Sequence, residues 1–240
     1  DQQVPHWLRT DHPRLTVVDH REIFADPSVL PSFNSHAIES QLHHIPGLAN
    51  LYLYLNDDVL FGSPVRPENF YHGNGLVKFF PSPAEVEPRA ASRHDVAVTA
   101  AAKNNREFLE RTQGRTLTNK MRHAPIPQSV TVLRALEAEH PELFEQVTSA
   151  RFRRRSDYAI VSSLVHYYGF LKGKAVPGRI RNGYLDVASP NAANVLELWL
   201  RSRSYHSLCL NDSGTDDPAV DLMLREFLEQ YFPLSSAWER

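Results

Sequence analysis

The chain has 240 residues, 42% of them apolar and 22% charged, with a formal net charge of −2. Those values describe a folded globular protein of about one large domain, and they exclude a global field that would recruit nucleic acid or an anionic membrane. The single cysteine, Cys209, excludes an internal disulfide framework and fits a reducing compartment, and the longest apolar runs are too short to span a bilayer.

Residues 14–19 read as a short buried strand that ends in a polar loop. Asn34 is placed to cap a helix over residues 35–45, where Ile38, Leu42 and Ile45 recur on one face; Pro46-Gly47 ends it. Residues 51–55 are apolar on both faces, as in a strand covered by helices on each side, and Asn56, Asp57 and Asp58 follow at its carboxyl end. Residues 62–95, rich in Pro, Gly, Asn and His, predict loops and short strands. Helices are predicted over 97–113, closed by Gly114, over 129–140 and over 156–171. Asn182-Gly183 within residues 179–187 predicts a hairpin with a type I′ turn. Ser189-Pro190 opens a further helix, residues 205–210 form a strand ending in Asn211-Asp212, and residues 218–231 form the last helix. The order is that of an α/β sheet, in which ligands bind outside the carboxyl ends of strands.

Several residues along this frame can do chemistry. Asp57 and Asp58 together can hold a hard cation, Mg²⁺ or Mn²⁺, against a diphosphate; the plainer reading of Asn56-Asp57-Asp58 is a polar turn. Asn211-Asp212 repeats the pattern, so two strand ends can converge on one ligand; a loop leading to a helix cap at Asp216 or Asp217 is the alternative. The basic run 151–155 offers guanidinium groups to phosphate oxygens, or is a solvated loop with one or two arginines facing a ligand. It has no interleaved aromatic stacking platform, so nucleic acid is not expected as a partner. Among the twelve histidines there is no zinc spacing; adjacent His43 and His44 cannot share one helix face, and His123 is the candidate base. No Gly-x-Ser-x-Gly, P-loop or Gly-x-Gly-x-x-Gly pattern occurs, which disfavours serine hydrolases, P-loop kinases and common dinucleotide enzymes.

Taken together, three separated blocks resemble the Stealth family, which includes bacterial capsular and exopolysaccharide phosphotransferases and the animal GlcNAc-1-phosphotransferase. The first is Phe33-Asn34-Ser35-His36-Ala37-Ile38-Glu39 through Ile45-Pro46-Gly47, with Tyr54-Leu55-Asn56-Asp57-Asp58-Val59. The second is His123-Ala124-Pro125 with Arg151-Phe152-Arg153 and Asp157. The third is Cys209-Leu210-Asn211-Asp212 with residues 232–239. The family's own first block, a strand with a Tyr-Thr-Trp-Val-Asp-Gly-like signature, does not occur; the chain opens on Asp1, and that block is expected upstream of it.

The resemblance implies a mixed or mostly parallel Rossmann-like sheet of nucleotide-sugar transferase type, flanked by helices, with a helical insertion and a small β-hairpin. One catalytic domain is expected over residues 1–240, with residues 62–125 inserted and its loop facing the acceptor. The implied reaction moves hexose-1-phosphate or N-acetylhexosamine-1-phosphate from a UDP-sugar to a glycan hydroxyl and releases UMP. His123, Arg153, Asp58 and Asp212 are the expected catalytic residues. Asn34, Glu39, Asn56, Asn211 and Asp157 are expected to bind substrate or order the site, and Asp57, Asp58 and Asp212 to hold the metal. A cytoplasmic location is expected, with peripheral attachment to the inner face of the membrane and homo-oligomerisation left open. The rival readings are a metal-dependent hydrolase of nucleotide sugars or phosphodiesters, using the same carboxylates and arginine, and a non-catalytic glycan-binding module.

Overall fold

The computed structural model describes residues 4–212, 214 and 216–239. The chain begins without the predicted strand: residues 14–18 form no regular element, and Asp19 instead caps a short 3-10 turn, His20–Glu22, whose Glu22 side chain accepts from the Asp19 backbone N–H. Reciprocal capping of this kind satisfies the free N–H groups of the turn, whereas a lone strand here would have no partner for its ladder.

Helix α1, Ser35–Ser40, starts where Asn34 predicts, with the Asn34 side chain accepting from the His36 N–H. It is shorter than the apolar spacing predicts and continues as a 3-10 turn, Leu42–His44. Strand β1, Leu51–Tyr54, is followed at once by β2, Val59–Phe61. Next come α2, Pro67–Phe70, then β3, Val77–Phe79, and β4, Pro81–Glu85. Helix α3, Ala97–Gln113, has the predicted bounds, and Gly114 closes it in the left-handed conformation at φ 61°. Strands β5, Asn119–Met121, and β6, Ile126–Ser129, lead into α4, Val130–Glu139, which Ser129 caps, and into α5, Pro141–Thr148. A π-helical turn, Ile160–Leu164, precedes α6, Val165–Leu171, so the predicted helix over 156–171 is formed only in its second part. The remainder is β7, Ala175–Pro177; β8, Asn182–Asp186; α7, Ala192–Ser202; β9, Ser207–Asn211; and α8, Pro218–Tyr231.

The fold is mixed α/β, but its strands are distributed over four small sheets rather than one large parallel sheet. β1 pairs antiparallel with β6, β4 antiparallel with β5, and β3 parallel with β7; β9 lies between β2, antiparallel, and β8, parallel. A Rossmann-like arrangement is therefore not what the described strands form. β1 is only half buried along its length, so its apolar residues do not report a strand sealed by helices on both faces.

The predicted hairpin at Asn182-Gly183 is also absent. Both residues lie inside β8, and Gly183 shows no positive φ. Its glycine has another cause: a Cβ there would fall 2.6 Å from the Trp199 ring of α7, so the strand and helix can pack this closely only without a side chain. α7 begins at Ala192, later than Ser189-Pro190 predicts.

Two cores follow. Phe108, Leu109, Leu133, Leu136, Phe144, Ile160, Leu164 and Tyr168 unite α3 through α6. Leu185, Leu196, Trp199, Leu208, Phe227 and Tyr231 join β8 and β9 to α7 and α8. At about 1.5–3 kcal/mol for each fully buried large side chain, these clusters fix the strands that carry the polar residues described next. Among the described residues no helix is long and apolar enough to cross a membrane.

Candidate active site

The Asn56–Val59 segment is a turn, closed by the Val59 N–H donating to the Asn56 carbonyl at 3.1 Å. The turn and site readings are compatible, because this turn aims the Asp58 carboxylate. β2 runs antiparallel to β9 with Val59 opposite Cys209, and the Leu210 N–H donates to the Asp58 carbonyl at 2.9 Å. The amino end of β2 thus meets the carboxyl end of β9. Asp58 and Asn211-Asp212 come to one rim, as two converging strand ends require, but through an antiparallel pair. Asp212 Oδ1 accepts from the Gly214 N–H at 2.8 Å, and Asp57 is exposed.

His123 comes from the loop between β5 and β6. Its Nε2 lies 2.9 Å from Asp58 Oδ1. The loop is held by Asn182 at the start of β8, which donates to the His123 carbonyl at 3.0 Å and accepts from the Ser207 hydroxyl at 2.7 Å. The other Asp58 oxygen accepts from the buried Cys209 thiol at 3.3 Å. Burial and the adjacent Asp58 charge both push this thiol up, so it stays a protonated donor. With the carboxylate as acceptor, a neutral His123 ring carries its proton on Nε2, which leaves Nδ1 as its acceptor nitrogen. The His123 side chain is 39% exposed, and a cleft of about 170 Å³ opens beside it, bordered by Asn56, Lys120, Arg122, Ser162 and Ser163.

Arg153 belongs to a second group. Its guanidinium donates to the Ser35 hydroxyl at 2.5 Å, and Glu39 lies within its field. Glu39 is 4% exposed; burial pushes its carboxyl up to about 7, against the opposing effect of Arg153 and of the Tyr54 hydroxyl, which donates to it at 3.3 Å. Asn34 and Asp157 are buried against one another: the Asn34 amide donates to Asp157 at 2.8 Å and to the Ala150 carbonyl at 3.2 Å. Asp157 also accepts from the Arg154 N–H at 2.9 Å. These two residues order the segment that presents Arg153 and offer no surface to a ligand.

Cys209 and Tyr54 enter the site without a signal of their own. Cys209 stood only as part of a block, and only the strand register reveals that it touches Asp58. Two further readings need correction. His43 and His44 do converge, with both Nε2 atoms on Glu137 at 2.7 and 3.1 Å, because their segment is a 3-10 turn and not an α-helix. An aromatic does stand in the basic run: Phe152 stacks on Phe33 at 5.3 Å, both largely exposed.

Two clusters of metal-ligating groups occur among the described residues, His43 with His44 and Glu137, and Asp58 with His123 and Cys209. Asp57, Asp58 and Asp212 do not form a convergent all-oxygen set, and both Asp58 oxygens already have partners. A mixed nitrogen, oxygen and sulfur set does not match the oxygen preference of Mg²⁺, and the three carboxylates do not fit that ion as a group.

The acidic strand-end turn, the buried Asn34–Asp157 support, His123 and Arg153 all fall within stretches that match three family models: Stealth conserved region 2 over residues 1–79, region 3 over 122–170 and region 4 over 199–240. The chain belongs to the Stealth family. It is 48% identical over its whole length to an exopolysaccharide phosphotransferase of Streptomyces coelicolor, covering 42% of that protein, and 44% identical over 99% of its length to a second one, covering 40%. It is 36% identical over its whole length to the exopolysaccharide phosphotransferase CpsY of Mycobacterium tuberculosis, covering 46%. The chain thus spans less than half the length of these curated relatives.

Proposed function

We propose that this chain carries the catalytic centre of a phosphotransferase of polysaccharide synthesis, which moves hexose-1-phosphate or N-acetylhexosamine-1-phosphate from a UDP-sugar to a glycan hydroxyl. The observation that carries the reading is the Asp58–His123 contact at 2.9 Å beside an open cleft, in a chain whose relatives are named exopolysaccharide phosphotransferases. Asp58 orients the ring, and His123 Nδ1 takes the proton of the acceptor hydroxyl. The acceptor oxygen bonds to the sugar-bearing phosphorus. The bond from that phosphorus to the bridging oxygen breaks, and UMP leaves with the bridging oxygen and its electron pair. Arg153 stabilises the charge that gathers on the transferred phosphoryl group. Asn56, Asn211 and Asp212 line the rim around the substrate, while Glu39 orders Arg153. Mg²⁺ or Mn²⁺ would neutralise charge on the diphosphate, and exposed Asp57 is the carboxylate that would be open to it. A cytoplasmic setting accords with the lone reduced thiol of Cys209.

The test is release of UMP from a panel of UDP-sugars, with Mg²⁺ or with EDTA, using the full-length protein. Metal-dependent UMP release, raised by an oligosaccharide acceptor, is expected. Release of UDP instead is glycosyl transfer and overturns the mechanism. Arg153→Ala is expected to lose turnover by about 10²–10³-fold, as for other transition-state donors, and Arg154→Ala to lose little, because Arg154 supports Asp157 through its backbone N–H.

A further inference from the structure

Away from the reaction centre, one wall of the molecule holds more positive charge than it has partners for. Arg122 borders the cleft of His123 and also a larger cleft of about 750 Å³, whose lining includes Arg179, Arg181 and His206. No carboxylate lines this second cleft. Among the described residues, Arg122, Arg179 and Arg181 form no ion pair. In a chain with a net charge of −2, three uncompensated guanidinium groups on one wall are a local excess.

The hydrogen-bond balance has the same sign. An Arg181 nitrogen lies 3.0 Å from His206 Nε2. A guanidinium only donates, so Nε2 accepts and the neutral ring carries its proton on Nδ1. Burial and the Arg181 charge both lower the proton affinity of His206 and keep it neutral. Its Nδ1 is buried and has no partner. The buried Nδ1 is closed to a ligand, and the donors in surplus on the wall are those of the exposed Arg122, Arg179 and Arg181 guanidinium groups. The wall's geometry is fixed: Asn182 pairs with Ser207 across β8 and β9, so the residues just before them, Arg181 and His206, keep a set position, and Asn182 also holds the His123 loop. A phosphoryl group answers this need better than a neutral sugar, because its several oxygens accept from guanidinium groups on more than one side.

We propose that this cleft is a subsite for a phosphoryl group carried on a sugar, separate from the reaction centre. In the reaction proposed above, on which this inference rests, that group is a phosphodiester already present in the acceptor. The enzyme would then extend chains that have received sugar phosphate before, with the earlier phosphodiester gripped at Arg122, Arg179 and Arg181 while a terminal hydroxyl reaches His123.

The experiment is calorimetric titration of the full-length protein and its Arg179→Gln/Arg181→Gln variant with three probes: a synthetic sugar–phosphate–sugar dimer, the matching neutral disaccharide, and UDP. Both arginines are exposed, and a matching melting temperature checks the fold. The dimer is expected to bind the unaltered protein more tightly than the disaccharide, to weaken about tenfold in the variant, and to weaken with added salt, with UDP affinity the same in both proteins. Equal dimer affinity in the two proteins, or no preference over the disaccharide, overturns the subsite. Loss of UDP affinity in place of dimer affinity puts the phosphoryl group on the donor and overturns the acceptor assignment. Binding is read without turnover, so failure of the UMP assay and failure of this subsite remain distinguishable.

Discussion

His123 lies 2.9 Å from Asp58, and His43 and His44 lie 2.7 and 3.1 Å from Glu137. By distance the two meetings of histidine and carboxylate are alike; their surroundings separate them. The His43 side chain is fully buried against the helical core, where its ring packs edge-on to Phe144. His44 is held from its other side by the Ile23 carbonyl and the Gln41 amide oxygen, so both of its nitrogens are occupied. His123 is partly exposed on a cleft and spends only one nitrogen on its carboxylate. A histidine–carboxylate contact positions a ring; access to the second nitrogen decides whether that ring can exchange a proton with a ligand.

The comparison breaks most visibly at His123. His123→Ala is expected to lower turnover by about 10²–10⁴-fold, the range for a positioned base, with the melting temperature little changed. Asp58→Asn is expected to fall in the same direction by a smaller factor, since the ring remains but its orientation is lost. Near-normal turnover in His123→Ala would remove the base from the scheme and erase the distinction between the two clusters.

Glu137→Gln should do the opposite. It leaves turnover within a small factor and costs stability, about 1 kcal/mol, because the buried His43 nitrogen exchanges a charged acceptor for a neutral amide oxygen; the 27% exposure of Glu137 keeps the figure modest. A melting curve and a turnover assay on one preparation separate the outcomes. Loss of turnover without loss of stability would reverse the assignment.

The pH profile sharpens this further. Burial pushes Glu137 up, and the two imidazoles outweigh it, bringing the carboxyl down to about 2 from 4.5. Its contribution is present above about pH 4.5 and is lost as the pH falls towards 2. The hydrogen bond to Glu137 raises His44 above 6.5, so its contribution is full below that pH and is lost as the pH rises through the raised value. The stability difference between the unaltered protein and Glu137→Gln is therefore expected to be greatest between those limits and to shrink on either side. A difference independent of pH would show that packing, not charge, joins these residues.

The smallest effect is expected at Cys209. Cys209→Ser replaces one neutral donor to Asp58 by another, and turnover should stay within about threefold, since such an exchange is worth well under 1 kcal/mol. A loss as large as that of His123→Ala would make the thiol a participant rather than a support.

Much of the helical frame was legible in the residues. Gly114 closes α3, Ser129 caps α4, Asn34 caps α1 and Asp217 caps α8, because each signal acts within a few residues of itself. The sheet was not legible. A strand's partners lie far along the chain, and the same apolar pentad at 51–55 fits a sealed parallel strand or the half-buried antiparallel β1. Gly183 misled for a related reason: a glycine needed for close approach to Trp199 carries the same letter as one needed for a turn. In the candidate site, Asp58, His123 and Arg153 stood out as residue types, but nothing in their spacing said that His123 and Asp58 touch or that Asn34 and Asp157 are buried.

The sequence by itself determined the family, through three ordered blocks, and the local punctuation of the helices, through caps and apolar spacing. Tertiary structure alone decided which histidine meets which carboxylate with a nitrogen to spare, where the buried thiol donates, and where three arginines gather without counter-charge. Those are contacts between residues tens of positions apart. They are set by how β2, β8 and β9 pair and how α7 packs over them, and no local propensity encodes that pairing.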